Sequence, residues 1–365
     1  MTQTLIEPAL VILTIIALTF ASVAVLLWCS LLLYRMRENR RSKRRDQIAD
    51  RWLTLLLPAL EGGESLASLP RLRGRLETEA VLGLLRDLAE RFRGQYRDNL
   101  HEVLKHIGAE TYGFRLLKRT SETSRMRGCA LLAWMAPSAQ VDEKLAVLLR
   151  DPRPSVRLEA AHALTARSTP GISLQTIMTS LRGTEAMRSE RTRDIIRLMA
   201  PGQSPTLSWL LQSATDAREK TLLLDGLAVA GDFMYATQVA TYLADPSAKV
   251  RATAVDALER LADPQHIEAV AVLARDPDAN VRLAVARYAR SMRGDNTATT
   301  VLEYLAMDRH FEVRRTAVHA LATWGGRSWD HLVSMAPQDP LLESIIREAT
   351  QSNPPETATT TLLHA

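Results

Sequence analysis

The sequence lacks the groups that build disulfide frameworks, metal sites and phosphate-binding loops. Only two cysteines occur, Cys29 in a long apolar run and Cys129 beside an alanine in a helical pattern, so a disulfide scaffold is excluded. The eight histidines form no His-x-His or His-Glu-x-x-His pair, and neither a Cys-x-x-Cys pair nor a Gly-rich phosphate loop is present. We therefore predict no catalytic residue, no cofactor and no metal site, and we expect that the protein is not an enzyme.

The excess of positive charge is confined to one segment. Residues 35–51, "RMRENRRSKRRDQIADR", carry eight basic and three acidic side chains, and the resulting charge of +5 equals the formal charge of the whole chain. Aromatic residues make up only 5% of the chain and none interleaves with this basic segment. A nucleic-acid interface combines basic patches with aromatic or groove-reading elements, so none is expected here.

The sequence does contain a recurring motif. "DPSAKVRATAVDAL" begins at residue 245, and related stretches begin at residues 276 and 308. The basic residue in each copy serves as a marker, and a fixed spacing of 30 to 32 residues separates successive markers. The markers are Arg97, Arg127, Arg157, Arg188, Lys220, Arg251, Arg282 and Arg314. A fixed period in this range is typical of repeat arrays.

Each copy predicts a pair of short helices. Small or apolar residues stand three, four and seven places after most markers, which puts them on one stripe of a helix. A second helical stretch precedes each marker, as in "HIEAVAVLA" at 266–274, and Asp-Pro turns join the two. Two short helices cannot bury their apolar faces alone, so neighbouring copies must stack. The prediction is an all-α solenoid of about eight helix pairs, with weaker copies around Arg188 and Lys220.

The best copies resemble HEAT-like repeats of the short variety named after phycobilisome lyases. Asp-Pro, three variable residues and Val-Arg recur in the copies at Asp151, Asp245 and Asp276, and Arg309 replaces the proline in the copy at Asp308. The resemblance implies a ladder between adjacent repeats, in which these residues are structural rather than catalytic. The implied ladder residues are Asp151, Arg157, Asp245, Arg251, Asp276, Arg282, Asp308 and Arg314.

A second row of residues is a candidate for partner binding. The position five places after the marker is mostly polar and differs from copy to copy, as expected of a solvent-facing strip on the inner face of a solenoid. Its candidate residues are Glu102, His162, Arg193, Asp225, Asp256, Arg287 and His319. The mixed signs favour a protein partner over a polyanion, and a solvated helix face without any partner is an equal alternative.

The amino-terminal part predicts a membrane helix. Residues 9–34 carry no charge and would span about 39 Å as a helix, against a hydrocarbon core of about 30 Å. The basic segment follows at once, and the positive-inside rule then places the amino terminus outside and the solenoid in the cytoplasm. Basic residues that would fix this topology or contact anionic lipid headgroups are Arg35, Arg37, Arg40, Arg41, Lys43, Arg44 and Arg45.

Together these patterns predict six segments. They are a short extracytoplasmic amino terminus at 1–8, a transmembrane helix at 9–34, the basic segment at 35–51, a connecting and capping helix with a turn at 52–76, the repeat solenoid at 77–349 and a disordered tail at 350–365. The expected function is a scaffold in the cell membrane that recruits or organises a protein partner, with an integral membrane enzyme such as a glycosyltransferase as one class of partner. An anionic-lipid sensor and a lyase-like or cofactor-chaperone activity are the alternatives, and the oligomeric state stays open.

Overall fold

The computed structural model describes the chain from Ile6 to Ser352, apart from residues 61–65, 67–68, 71, 73–74 and 90–94. The described residues are helices and connecting turns, with no β-strand among them. They divide into two compact units, Met1–Val141 and Asp142–Ala365. Helix α6 (Ala139–Val147) contains the boundary between the units. An all-α fold was predicted from the repeat pattern and is confirmed.

The first unit contains one long helix and four shorter ones. These are α1 (Ile6–Leu60), α2 (Arg75–Ala89), α3 (Gln95–His106), α4 (Ala109–Leu117) and α5 (Glu122–Leu132). The end of α1 packs on α2 and α3. Trp52, Leu56 and Leu60 are buried there, and the indole Nε1 of Trp52 donates a hydrogen bond of 3.0 Å to Glu77 Oε1. Residues 52–60 therefore continue α1 and close the apolar side of this unit.

The predicted transmembrane helix at 9–34 is not supported. Within the residues whose side chains the structure describes, no helix is long and apolar enough to cross a membrane. The prediction of a single-pass protein in the cell membrane, with its amino terminus outside and its solenoid in the cytoplasm, is therefore wrong.

Two other predicted segments lie partly outside the residues that the structure describes. Residues 1–5 of the predicted extracytoplasmic amino terminus lie outside the described residues, as do the side chains of residues 6–19. The predicted disordered tail begins at 350, but α19 (Pro340–Ser352) continues through its first three residues. Residues 353–365 of that tail lie outside the described residues.

The second unit alternates longer marker helices with their shorter partners. The marker helices are α7 (Pro154–Ala166), α9 (Glu190–Met199), α11 (Ala217–Ala230), α13 (Ala248–Arg260), α15 (Ala279–Ser291), α17 (Phe311–Trp324) and α19. Their partners are α8 (Leu174–Leu181), α10 (Ser204–Ser213), α12 (Ala236–Ala240), α14 (Ile267–Val272), α16 (Asn296–Leu305) and α18 (Arg327–Met335). Each marker helix packs against the next one, so the marker helices form a continuous layer.

The core of this layer comes from the positions that set the helical period. In α13, Val250, Ala254 and Leu258 are at most 1% exposed, and the equivalent side chains of α7, α15 and α17 are equally buried. The small residues at the central position let adjacent marker helices approach closely, while leucine fills the space one turn later. Burial of this repeated stripe drives the stacking of the helix pairs.

The weak copy around Arg188 has a different register from the one that the spacing predicts. The basic marker is the fourth residue of α7, α11, α13, α15 and α17, whereas Arg188 lies in a 3₁₀ turn before α9. Arg193 occupies the fourth position of α9 instead. Buried Thr192 and Ile196 flank it as valine and a small residue flank the marker elsewhere. Helix α9 starts later in its copy because Ser189 caps it with a hydrogen bond from the Arg191 amide.

Candidate partner-binding surface and the ladder beneath it

Four ion pairs connect successive repeats of the second unit. They join Lys220 to Asp245 at 2.7 Å, Arg251 to Asp276 at 2.8 Å, Arg282 to Asp308 at 2.6 Å and Arg314 to Asp339 at 2.7 Å. In each pair the marker base of one repeat meets the loop aspartate of the next. We call these four carboxylates the rung aspartates. The two arginines at the centre, Arg251 and Arg282, use Nε and Nη2 to grip both carboxylate oxygens.

Each central rung aspartate also organises its own turn. Asp276 Oδ1 accepts a hydrogen bond of 2.9 Å from the Asp278 amide, and the Asp276 carbonyl accepts one of 2.8 Å from Arg282 Nη1. Asp308 repeats this arrangement with the His310 amide at 2.8 Å and Arg314 Nε at 2.9 Å. The aspartate therefore stands two residues before the helix cap rather than at it, and it ties the turn, its own helix and the preceding repeat together.

The hydrogen bonds of the ladder shift the acidity of the rung aspartates. Burial disfavours the ionised carboxylate of Asp276, but hydrogen bonds from the Arg251 guanidinium and the Asp278 amide outweigh it and lower the pKa. The pKa of Asp308 is lowered in the same way by Arg282 and the His310 amide. At Asp245 the ammonium of Lys220 and the Ser247 amide together overcome burial and lower the pKa. These carboxylates are therefore charged in the folded protein.

The ladder is interrupted in the first repeats of this unit. Arg157 Nη1 donates a hydrogen bond of 3.1 Å to the carbonyl of Asp151, the bond that Arg251, Arg282 and Arg314 also make in their own turns. The residue 25 positions after Arg157, however, is Arg182 rather than an aspartate. Arg157 Nε is buried and has no hydrogen-bond partner among the described residues. Arg182 instead pairs with buried Glu219 at 2.6 Å. The carboxylate of Asp151 accepts from the Arg153 amide at 2.9 Å.

The candidate row lies beside the ladder and consists largely of pairs between adjacent marker helices. Asp256 and Arg287 are joined at 2.7 Å, and their side chains are 38% and 37% exposed. His319 lies 3.7 Å from Glu348, which also accepts from Arg315 at 2.7 Å. The row is therefore half-exposed and mixed in sign, and its charges contact each other across helices.

Asp225 is the most connected member of the row. Arg197 donates to it through Nε at 2.7 Å and Nη2 at 3.0 Å, and Arg260 Nη1 donates at 2.9 Å. Burial disfavours its ionised form, but the hydrogen bonds and charges of the two arginines lower its pKa. Asp225 thus links three successive marker helices. Arg197 and Arg260 were not predicted, because their relation to Asp225 depends on how α9, α11 and α13 pack.

The remaining predicted residues of the row are scattered. Arg193 pairs with Glu190 on its own helix, and its place as the fourth residue of α9 removes it from the position that Asp225 and Asp256 share. His162 is half-buried on α7, and Glu102 is exposed on α3 in the first unit. The structure therefore brings together Asp225, Asp256, Arg287 and His319 on successive marker helices, and not the whole predicted row.

The basic segment is an exposed part of α1. The side chains of Arg35, Arg40, Lys43, Arg44 and Arg45 are exposed, whereas those of Arg37 and Arg41 lie outside the described residues. In the described part of the chain, no group of three or more His, Cys, Asp or Glu side chains could hold a metal ion. Cys129 is buried and Cys29 is exposed.

Comparison with known proteins finds a similarity to one repeat family in the second unit. Residues 237–351 match the family model of HEAT repeats. No curated protein is a significant sequence match to the chain.

Three solved structures are similar at low identity. An engineered protein from a structural genomics consortium is 18% identical, with 80% of this chain and 86% of that chain covered and a TM-score of 0.40. The complex of CpcE and CpcF of phycocyanin lyase from Nostoc sp. PCC7120 is 15% identical, covering 66% and 94%, with a TM-score of 0.33. The Pds5–Scc1 complex is 12% identical, covering 81% and 67%, with a TM-score of 0.35.

Such TM-scores do not carry the roles of these proteins to this chain. The matched range 237–351 includes all four rung aspartates and the turns that they organise. Over these residues the stacked helix pairs are similar to HEAT repeats, which supports the HEAT-like repeat architecture predicted from the sequence.

Proposed function

We propose that this chain is a protein-interaction scaffold without catalytic activity of its own, whose second unit presents a charged strip on α11 to α17 to a protein partner. The observation that carries the proposal is the contrast between the ladder and the strip beside it. Arg282 and Asp308 are each 6% exposed in their side chains, whereas Asp256 and Arg287 are more than a third exposed. The buried pairs fix the spacing between repeats, and the exposed pairs remain accessible at that spacing.

Exposed pairs suit recognition because they cost little to rearrange. A surface ion pair contributes on the order of 0 to 1 kcal/mol to stability, so a partner's charges can replace one member without a large penalty. Mixed-sign charge contributes more to the specificity and rate of association than to raw affinity. A protein partner with alternating charges at the repeat spacing fits this strip better than a polyanion does.

The experiment uses a swap that keeps the pair and inverts its direction. In the variant Asp256→Arg with Arg287→Asp, opposite charges still face each other between α13 and α15, so the unfolding midpoint should stay close to that of the wild type. Proteins captured by crosslinking to the full-length chain are compared between the wild type and the swapped variant. We expect a partner captured in stoichiometric amounts by the wild type to be lost with the swap.

A control swap separates this strip from the rest of the surface. Arg347 and Glu343 form an exposed pair of 2.9 Å within α19, and exchanging them should leave capture unchanged. Capture that survives the swap at Asp256 and Arg287 would place the interface elsewhere. Failure of the wild type to capture any protein in stoichiometric amounts would count against the scaffold role itself.

A further inference from the structure

The first unit contains a cleft to which neither the ladder residues nor the residues of the charged strip contribute. Its volume is about 800 Å³, within the range of about 300 to 1,000 Å³ typical of ligand sites. Five helices contribute to its walls, namely α1, α2, α3, α4 and α5. Leucines form much of its lining, for example Leu82 and Leu85 of α2 and Leu131 of α5.

The lining follows helix faces rather than converging on one point. On α5, Ser124, Arg127 and Leu131 line the cleft at spacings of three and four residues, and on α4 Tyr112, Arg115 and Leu116 do the same. Residues at such spacings lie along one face of a helix. From Ser124 to Leu131 that face is about 10 Å long, or roughly two helical turns. The cleft is thus a groove that matches a short helix in length.

Guanidinium groups surround the apolar lining. Arg45, Arg115, Arg119 and Arg127 all contribute to the walls, against the two carboxylates of Glu38 and Glu79. Among the described residues, Arg45, Arg115 and Arg119 have no carboxylate within 4.0 Å. Arg115 lies over the ring of Tyr112, with 5.7 Å between its guanidinium carbon and the ring centroid.

One ion pair at this groove, between Arg127 and Glu79, is long. Arg127 Nη1 is 3.4 Å from Glu79 Oε1, longer than the 2.7 to 2.9 Å of a strong charge-assisted hydrogen bond, and the Arg127 side chain is 57% exposed. The lining therefore offers a net positive rim with donors available to an incoming carboxylate.

We propose that this groove binds an acidic amphipathic helix of a protein partner. Its apolar face would pack on the leucine lining, as helices do in hydrophobic grooves, and its flanking Asp or Glu residues would meet Arg115, Arg119 and Arg45. The occupant is a protein, so the inference rests on the proposed scaffold role and names a second, chemically distinct partner site in the other unit. A small inorganic anion does not account for the leucine lining, and a neutral peptide does not account for the arginines.

Gly83 of α2 allows a direct block of the groove. It contributes to the lining, has an ordinary helical backbone, and a Cβ added there would meet no atom within 4 Å. Gly83→Phe therefore places a ring in the groove without a clash in the helix. Arg115→Glu with Arg119→Glu removes and reverses the charge instead, and Arg290→Glu, on an exposed position of α15 in the second unit, is the matched charge control.

The test selects ligands from a displayed library of 16-residue peptides, with leucine fixed at positions one, four, eight and eleven and all other positions random. The wild-type full-length chain is the bait, and the variant with both Arg115→Glu and Arg119→Glu is used for counter-selection. We expect enrichment of Asp and Glu on the peptide faces that flank the leucines. A selected peptide should bind roughly tenfold or more weakly to Gly83→Phe and to the double variant, and with unchanged affinity to Arg290→Glu.

Several outcomes would overturn the inference. They are no enrichment over the counter-selected bait, enrichment of neutral or basic peptides, and equal binding by the Gly83→Phe variant. Saturable binding of lauric acid without peptide enrichment would assign the groove to a small amphiphile instead. The variant with Asp256→Arg and Arg287→Asp should keep the selected peptide, so a failure here is distinguishable from a failure of the strip on the second unit.

Discussion

Removing the guanidinium of Arg282 should destabilise the second unit more than any loss of an exposed charge. This side chain is 6% exposed and makes four hydrogen bonds, two to the Asp308 carboxylate and one each to the carbonyls of Asp276 and Pro277. Arg282→Met keeps most of the apolar stem but leaves the buried carboxylate of Asp308 with the His310 amide as its remaining donor. Breaking a buried pair in this way costs about 3 to 5 kcal/mol.

A double-mutant cycle separates the loss of unfolding free energy into the part due to the ion pair and the part due to packing. We expect Arg282→Met with Asp308→Asn to cost less than the sum of the single substitutions, with a coupling of about 2 kcal/mol. The matched control is Arg290→Met, the same chemical change two turns later on α15 at an exposed position, which should change stability by at most about 0.5 kcal/mol.

Hydrogen exchange is the appropriate assay, because stacked repeats do not always unfold as one cooperative unit. The protection of amides in α15 and α17 is measured for each variant at a fixed pH, alongside urea unfolding followed by circular dichroism. A loss of protection confined to α15, α17 and their neighbours is expected. A loss below about 1 kcal/mol for Arg282→Met, or strictly additive singles, would refute the reasoning that the ladder holds adjacent repeats together.

Two further predictions concern pH and packing. Folding lowers the pKa values of the rung aspartates, so the unfolded chain binds more protons than the folded chain does. The stability that these carboxylates contribute is fully present above the usual aspartate pKa of about 4. It is lost as the pH falls through their lowered pKa values in the folded protein. Urea midpoints measured from pH 6 to pH 3 should therefore fall less steeply for Asp308→Asn than for the wild type, and parallel curves would contradict this. Gly226→Ala should destabilise by about 1 to 3 kcal/mol although alanine favours helices, because its Cβ would lie 2.7 Å from Ile196 Cγ2 and 3.0 Å from Leu207 Cδ2. A higher unfolding midpoint for that variant would contradict this, because it would mean that the side chains of α9 and α10 can move to accommodate the methyl group.

The periodic part of the sequence predicted the fold because burial repeats with it. Val281, Val285 and Ala289 stand at −1, +3 and +7 relative to Arg282, and all three are at most 1% exposed. The same reasoning failed around Arg188, where the spacing continues but the helix starts after a 3₁₀ turn. Local capping decides where a helix begins, and a period alone does not contain that information.

The candidate site was predicted less completely than the fold. The last rung, Asp339, was missed although an Asp-Pro pair stands there, 31 residues after Asp308, because the terminal repeat lacks the Val-Arg that follows it elsewhere. The groove of the first unit was missed for a different reason. Its walls come from separate helices, so the proximity of Arg45 to Arg115 is a property of packing, and no spacing in the sequence indicates it.

The ladder of ion pairs is interrupted in the same part of the chain where the repeat motif is weak. This affects how regularly the helix pairs are spaced. From Lys220 onward every base meets an aspartate of the next repeat at 2.6 to 2.8 Å, so successive helix pairs are held at one spacing. Before Lys220 the connections are individual, such as Arg182 with Glu219, and Arg157 Nε has no partner among the described residues. A partner that contacts several repeats from α11 to α17 therefore meets charges at a fixed interval. The repeats near Arg157 offer no such constraint, which is why the proposed strip is assigned to the later helices.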